Sequence, residues 1–262
     1  MRGLLQDTFK EMVERKLIWI YVAVTVIAVL MTIASHSMKI EINMNSGSED
    51  PIASLAQKVA VGAMDTYFSF LVFLTVMGTA GLIPSMLVRG RAEYYLSKPV
   101  SRAALLLYKL FSIWAVYGAT IVAGGLVTFL AFYAAWGFAD VRLLYIFALN
   151  MAALFVWLSV TAFSGILTGS FAVSIMMAFV MWIAQVLLQY HEAVQNVIDS
   201  RFVTGIVSGL YYVLPKTSQL GEVTQSLALG RPVESWLPLW SSLLFAVVLV
   251  GITVAMFERK DY

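Results

Sequence analysis

Cysteine is absent from the 262-residue chain, and histidine occurs only twice. Without cysteine there can be no disulfide, no thiolate metal ligand and no cysteine nucleophile. The sequence also lacks an H-E-x-x-H pattern, a G-x-S-x-G elbow and the G-x-x-x-x-G-K-[ST] loop that cradles ATP phosphates. It therefore predicts no metal site, no catalytic site and no usual nucleotide site on this chain.

Charged residues are scarce as well. They make up 12% of the chain, whereas 61% of the residues are hydrophobic and the mean hydropathy is +0.85. Soluble domains contain about 25% charged and about 45–50% apolar residues. A water-soluble core could not hide so much apolar surface, so the composition predicts an integral membrane protein. The formal net charge of +2 is too small to indicate a nucleic-acid partner.

Long uncharged runs predict six spanning helices, since each crossing needs about 20 apolar residues. The chain from 143 to 190 carries no charged residue over 48 positions, which is too long for one crossing, so it should fold back at the SGILTGS stretch, 164–170. The runs lack the period-two alternation of a barrel, which predicts an all-α protein. The predicted spans are 17–34, 66–88, 103–136, 143–164, 170–190 and 236–257.

Lysine and arginine predict the orientation. Eleven of them fall in the N-terminal segment, the loop after the second span with the start of the third span, and the C-terminal tail, against six in the opposite segments. The positive-inside rule therefore places both termini and the loop 89–102 in the cytoplasm, with 35–65 and 191–235 outside a cell membrane. The first span is predicted to be an uncleaved anchor, because its charged leader is long and IASHSMK is a poor cleavage site.

Segments that do not span are predicted at both surfaces. Residues 2–16 form an amphipathic helix whose apolar face carries Leu5, Phe9, Met12 and Val13, and it should lie along the inner membrane surface. A partner protein docked on its polar face is the alternative interpretation. In the outer segment 191–235, FVTGIVSGLYYVLP is too short to cross, which predicts interfacial or re-entrant helices that cap a central pathway.

Polar residues inside the predicted spans are few. Lys109 is expected about two turns into the third span, with its ammonium snorkelling to the inner surface. The lack of buried carboxylates in the last four spans disfavours proton or sodium coupling. Asn150, Gln185 and Gln189 either form interhelical hydrogen bonds or line a pathway, and the two glutamines, four residues apart, share one helix face.

The loop after the second span carries a recognisable pattern. EYYLSKPVSR, residues 93–102, is followed seven residues later by Lys109. It resembles the first cytoplasmic loop of ABC-2 type transporter permeases, which has an acid, then Leu-x-x-Pro-hydrophobic-Ser-Arg, then a lysine at the start of the third span. Tyr94 and Tyr95 stand where many members have Gly-Thr. The overall arrangement is most similar to the group that includes the nitrous-oxide reductase maturation permease.

The resemblance implies a membrane subunit with no catalytic residues of its own. ATP and Mg would bind to a dimer of separate cytoplasmic ATPase subunits, and a second permease chain, identical or homologous, would complete the pathway. The loop would form a coupling helix seated on the ATPase, and the family habit is export of the substrate. An extracytoplasmic partner is left open. The implied ATPase-coupling residues are Arg91, Glu93, Tyr94, Tyr95, Leu96, Lys98, Pro99, Ser101 and Arg102.

The residue types in this loop suit such an interface. Aromatic and leucine side chains are common anchors of protein interfaces, and basic side chains steer docking onto acidic partners. Ser101 is placed to cap the third span, whereas Arg102 would sit unfavourably at the positive end of that helix. The positive-inside rule alone would explain the outer arginines of the loop. A non-transporting membrane scaffold or assembly factor remains the alternative function.

Overall fold

A computed structural model describes residues 2–37, 51–87, 101–136, 140–189 and 201–259 of the chain. Across these residues all regular backbone is helical and no strand occurs. Short 3₁₀ helices follow the third helix (Pro84–Leu87) and precede the fifth (Val141–Leu143). The α-helices in chain order are α1 Arg2–Glu14, α2 Leu17–Ser37, α3 Pro51–Thr79, α4 Arg102–Trp136, α5 Leu144–Thr168, α6 Phe171–Gln189, α7 Arg201–Val213, α8 Thr217–Ala228 and α9 Leu237–Arg259.

Within the described residues, six helical segments are long and apolar enough to cross a membrane; they are built on α2, α3, α4, α5, α6 and α9. The prediction of an all-α, multi-pass membrane protein with six candidate spans is thereby confirmed. The segments of α3 and α5 form the centre of the bundle, with 61% of their most apolar windows buried. The corresponding share is only 11% for α2 and 17% for α6 and α9, so these helices have broad faces available to lipid.

The second span differs from its predicted limits, 66–88. Its helix begins at Pro51, so the segment preceding the span continues into it without a break. At the other end the α-helix stops at Thr79, and a turn leads into the 3₁₀ helix that starts at Pro84. Proline lacks the amide hydrogen needed in a helix interior and disfavours helical backbone in the residue before it. Apolar residues continue past Thr79, but the α-helix ends there because Pro84 cannot be part of its interior.

The long uncharged run folds back as predicted, within the SGILTGS stretch. Helix α5 ends at Thr168, and Gly169 adopts a left-handed conformation with φ of 66° while its amide donates to the Gly165 carbonyl at 2.9 Å. Glycine is suited to this position because it has no Cβ to clash. Helix α5 therefore ends four residues beyond its predicted end at 164, and helix α6 begins at Phe171.

Glycine also allows close helix contact in the centre of the bundle. A Cβ added at Gly124 of α4 would lie 2.3 Å from the Tyr67 hydroxyl and 2.7 Å from Thr25 Oγ1. Those two hydroxyls are themselves hydrogen-bonded at 2.8 Å and link α2 to α3. A second hydroxyl pair, Tyr21 with Thr75, links the same two helices nearby. Small residues permit such approach in membrane bundles, where hydroxyl bonds then add specificity.

Helix α1 packs on the bundle through part of its predicted apolar stripe and through a polar residue. Thr8 and Met12 are fully buried against the bundle, whereas Phe9 and Val13 are 48% and 41% exposed. Phe9 and Val13 are thus available to the membrane surface that the sequence predicts for this stripe, and that surface placement stays a prediction. In a membrane, apolar side chains can face lipid, so the apolar stripe need not be the stripe that packs on neighbouring helices.

Candidate functional site

The structure places two groups of candidate residues at opposite ends of the bundle. One group surrounds the start of α4 and includes Ser101, Arg102 and Lys109. The other lies between α3, α5, α6 and α8 and includes Asn150 and Gln185. The predicted coupling residues Arg91, Glu93, Tyr94, Tyr95, Leu96, Lys98 and Pro99 lie outside the described residues, and their assignment stays a prediction.

Ser101 caps the first turn of α4. Its Oγ accepts a hydrogen bond from the Ala104 amide at 3.3 Å, which satisfies one of the amides left unpaired at a helix start. Arg102 follows it, and its guanidinium donates to the Glu258 carbonyl at 3.5 Å, at the C-terminal end of α9. A helix C-terminus favours a cation, so this contact offsets the unfavourable position of Arg102 at the start of α4. An intramolecular contact therefore accounts for its orientation.

Lys109 does not snorkel, so that expectation is wrong. The residue is fully buried, and its Nζ lies 2.9 Å from Glu11 Oε2 and 3.6 Å from Asp7 Oδ2, both on α1. Its Nζ also donates to Thr8 Oγ1 at 3.4 Å. A buried ammonium must be paired and hydrogen-bonded, and α1 supplies all three partners. The polar side of α1 is therefore partly an interface with α4.

The turn that follows α1 contacts α3, the α-helix that precedes the loop 88–100. Arg15 donates from Nη1 to the Gly78 carbonyl at 3.4 Å, at the C-terminal end of α3. A cation at this position satisfies one of the last, unpaired carbonyls of a helix and interacts favourably with its dipole. Helix α1 is thus bonded to the first turns of α4, and the turn directly after α1 is bonded to the end of α3.

The second group of residues lines a cavity of about 320 Å³. The faces of α3, α5, α6 and α8 surround it, at the end of the bundle where α5 begins and α6 ends. Trp157 and Asn150 contribute from α5 and are 8% and 7% exposed. Asn150 donates from Nδ2 to the Ile146 carbonyl at 2.9 Å, one turn earlier on its own helix.

Gln185 occupies the wall of this cavity and caps α8. Its Oε1 accepts from the Thr217 amide at 3.1 Å and also from the Thr217 hydroxyl. A backbone amide can only donate, so the atom facing it must be the oxygen of the Gln185 side chain. The Nε2 group is then directed elsewhere, and it is buried without a hydrogen-bond partner among the residues that the structure describes.

Two acids and one lysine determine the charge around the cavity. Asp65 of α3 and Glu222 of α8 line it, and Asp65 Oδ2 accepts from Gln225 Nε2 at 3.1 Å. Lys216, just before α8, is turned towards Tyr211, with its Nζ 4.3 Å from the ring centroid. Burial lowers the pKa of Lys216. Among the described residues that line the cavity, none is lysine, arginine or histidine.

The cavity brings together two of the three residues named as pathway candidates. Asn150 and Gln185 lie on different helices and line the same space, whereas the side chain of Gln189 lies outside the described part of the chain. Sequence reasoning missed Asp65, which directly precedes the predicted second span, and Glu222, which belongs to the short helix α8. A charged residue at the edge of an apolar run was the available signal for Asp65.

No protein-family model matches the chain, and no curated protein matches it either.

Proposed function

We propose that the chain is the membrane-spanning permease subunit of an ATP-binding cassette transporter. In this proposal it forms the substrate pathway with a second permease chain in the cell membrane, and export is the expected direction. ATP is hydrolysed on separate cytoplasmic ATPase subunits, which dock on the segment 89–102. The EYYLSKPVSR pattern with Lys109, the six candidate spans and the lack of a phosphate-binding loop support this function.

The contact between Lys109 and α1 is the observation that carries the proposal. Lys109 is the last residue of the loop pattern, and its ion pair with Glu11 bonds α4 to α1 at 2.9 Å. Arg15, in the turn directly after α1, donates to the end of α3. The helices on either side of the proposed coupling segment are therefore joined through α1 and the turn that follows it. A displacement of that segment by an ATPase would be transmitted to α1, α3 and α4 together, because rigid, hydrogen-bonded elements carry such coupling.

The cavity supports the transport part of the proposal. Its volume of about 320 Å³ lies at the lower end of the range of about 300–1,000 Å³ for small-molecule pockets. Asn150 and Gln185 give its apolar and aromatic walls a few placed polar groups, as such pockets usually have. Because α3 contributes to the cavity and also accepts a hydrogen bond from Arg15, just after α1, one helix connects the two candidate sites.

The test begins with the tagged full-length chain, purified in mild detergent from its native membranes. We expect a P-loop ATPase to co-purify in stoichiometric amount. In proteoliposomes, the wild-type chain should stimulate ATP hydrolysis by that subunit. Glu93→Arg and Tyr95→Ala should each abolish the stimulation, because they remove a charge and an aromatic anchor from the proposed interface.

Arg89→Gln is the matched control, since the positive-inside rule alone explains that arginine. It should retain the stimulation, and all variants should keep the unfolding temperature of the wild type. If no ATPase co-purifies, or if both loop variants stimulate normally, the coupling assignment is wrong. Binding of other membrane proteins without any ATPase would favour the scaffold function instead.

A further inference from the structure

The cavity carries negative charge from two helices. Asp65 of α3 and Glu222 of α8 both line it, and the other described lining residues include no cation. Lys216 directly precedes α8 and does not line the cavity; its Nζ lies 4.3 Å from the centroid of the Tyr211 ring. Asp65 is partly buried and Glu222 is exposed, so both carboxylates would repel an anion and attract a cation, and water screens the charge of Asp65 less.

Four aromatic residues contribute to the wall of the cavity. Phe73 of α3 and Phe179 of α6 meet edge to face with ring centroids 6.0 Å apart, and both line the cavity. Trp157 and Trp182 contribute indole rings from α5 and α6. Tryptophan faces are the best side-chain partners for organic cations. The same rings provide apolar contact for the uncharged part of a ligand.

Gln185 adds a hydrogen-bond donor that the protein does not use. The side chain is 4% exposed, and its oxygen is committed to Thr217, which leaves the buried Nε2 without a partner in the described structure. A buried amide group without a hydrogen-bond partner is unfavourable. A ligand with a carbonyl acceptor would relieve this penalty, whereas an occupant without a carbonyl would not.

We propose that this cavity binds a small organic cation that also carries a carbonyl acceptor. Asp65 and Glu222 attract its cationic group, the indole rings of Trp157 and Trp182 enclose it, and Gln185 Nε2 donates to the acceptor. Binding is a property of this chain alone, whereas the identification of such cations as the transported substrates rests on the proposed function.

Benzoylcholine is a suitable probe because it combines a quaternary ammonium, an ester carbonyl and one phenyl ring in a compact molecule. Two analogues separate its features. In 3,3-dimethylbutyl benzoate a carbon replaces the charged nitrogen, and in the benzyl ether of choline a methylene replaces the carbonyl. Binding of all three to the full chain in phosphatidylcholine nanodiscs can be measured by isothermal titration calorimetry, with empty nanodiscs as the blank.

The wild-type protein should bind benzoylcholine at least about tenfold more tightly than either analogue, which corresponds to about 1.4 kcal/mol for each missing interaction. Added salt should weaken the binding of both cations and leave the neutral ester unchanged, because ions screen charge attraction. Equal binding of the neutral ester would mean that the cavity is a hydrophobic or lipid slot, and the proposal would be wrong. If the ether binds as tightly as benzoylcholine, the proposed hydrogen bond from Gln185 Nε2 to the carbonyl is wrong.

Variants assign the charge attraction to named residues. Asp65→Asn and Glu222→Gln should each weaken benzoylcholine binding by about fivefold or more and leave the neutral ester unaffected. Glu234→Gln is the matched control, because this exposed carboxylate follows α8 and does not line the cavity. Unchanged affinity in both cavity variants would contradict the proposal. An equal loss of benzoylcholine affinity in the Glu234→Gln control would show that only the general surface charge matters.

Gln185→Leu should reduce benzoylcholine binding to the level of the ether and leave the affinity for the ether unchanged. Retained ether binding shows that the cavity remains folded despite the loss of the Thr217 contact. If this variant does not fold, the comparison of ester with ether on the wild-type protein still tests whether the carbonyl contributes to binding. A Gln185→Leu protein that still prefers the ester would show that another group donates to the carbonyl, which would overturn this assignment.

The two proposals fail separately, since this binding assay contains neither ATPase nor ATP. Cation binding without any ATPase partner would preserve the ligand site and reject the transport function. ATPase coupling without cation binding would preserve the function and reject the ligand class. If both hold, benzoylcholine should increase ATP hydrolysis by the complex, and Asp65→Asn should abolish that increase.

Discussion

Lys109 Nζ lies 2.9 Å from Glu11 Oε2, and the two residues are 98 positions apart in the chain. The lysine is fully buried, so this pair determines how α1 sits on α4. Partly buried Glu11 and the more exposed Asp7 together supply the negative charge that the ammonium needs. The amphipathic helix is therefore part of the folded bundle, in addition to any contact that it makes with lipid.

Removal of one member of this pair should destabilise the protein. Lys109→Met leaves Glu11 facing a buried site without its cation, and loss of one partner of a buried ion pair typically costs about 3–5 kcal/mol. The double variant Lys109→Met, Glu11→Met should recover most of the loss, because apolar replacement of both partners is often close to neutral. Urea unfolding of the detergent-solubilised protein measures the free energy of unfolding of the single and the double variant. Lys10→Met, at an exposed position of α1, is the control and should have little effect; equal stability of Lys109→Met and wild type would contradict the ion pair.

Gly124→Ala should loosen the contact between α2, α3 and α4. The added methyl would overlap the Tyr67 hydroxyl at 2.3 Å and disturb its bond with Thr25, and overpacking of this kind typically costs about 1–3 kcal/mol. Gly251→Ala is the matched control, since a Cβ there meets no atom within 4 Å. We expect a lower thermal unfolding temperature for the first variant only. The opposite order would show that these helices do not approach as closely as described.

Gly230→Ala should destabilise the end of α8. Gly230 has φ of 68°, while the Arg231 amide donates to the Ser226 carbonyl at 2.8 Å and the Gly230 amide donates to Leu227 at 3.1 Å. These bonds form a Schellman cap, which favours glycine at its left-handed position. Alanine there costs about 1–2 kcal/mol, and its Cβ would also displace the Arg142 guanidinium.

The control for this substitution is Gly209→Ala, within α7, where a Cβ meets nothing within 4 Å and the backbone is helical. That change should leave stability equal or slightly higher, because alanine favours the helix by up to about 1 kcal/mol. Hydrogen exchange of the α8 amides is the measurement. Faster exchange in both variants, or in neither, would be inconsistent with the cap.

Ser101→Ala should fray the first turn of α4. Loss of an N-cap side chain costs about 1 kcal/mol, so amide exchange in that turn should accelerate about fivefold. Ser101→Asp keeps an acceptor at the cap and should restore the protection. If exchange is equally fast in the alanine and aspartate variants, the hydroxyl does not cap the helix.

Several features of the fold follow from local sequence. The uncharged runs predicted six spans because a helix of about 20 apolar residues is the usual way to cross a bilayer. The two glycines and the hydroxyl residues of SGILTGS predicted a fold-back within residues 164–170, and the structure places the left-handed residue at Gly169. The Ser101 cap was also predicted, since serine before an apolar helix is a local signal. Pro84 was an equally local signal for the early end of α3, and the apolar pattern around it hid that signal.

The candidate sites could not be predicted from local sequence. Lys109 was assigned to the membrane surface because a lysine about two turns into a span can snorkel, whereas its partners lie on α1. Asn150 and Gln185 were separate weak candidates until α5 and α6 placed them around one cavity with Asp65 and Glu222. In each case the deciding contact joins residues that are distant in the chain.

The sequence by itself determined that this is a helical, multi-pass membrane protein, because the length and apolarity of each span are local quantities. Only the tertiary structure decided which faces of those helices meet. Apolar side chains pack equally well against lipid and against protein, so hydrophobicity does not identify the inner face of a span. Buried polar groups such as Lys109 and Gln185 identify it instead, because their hydrogen-bond partners lie on other helices.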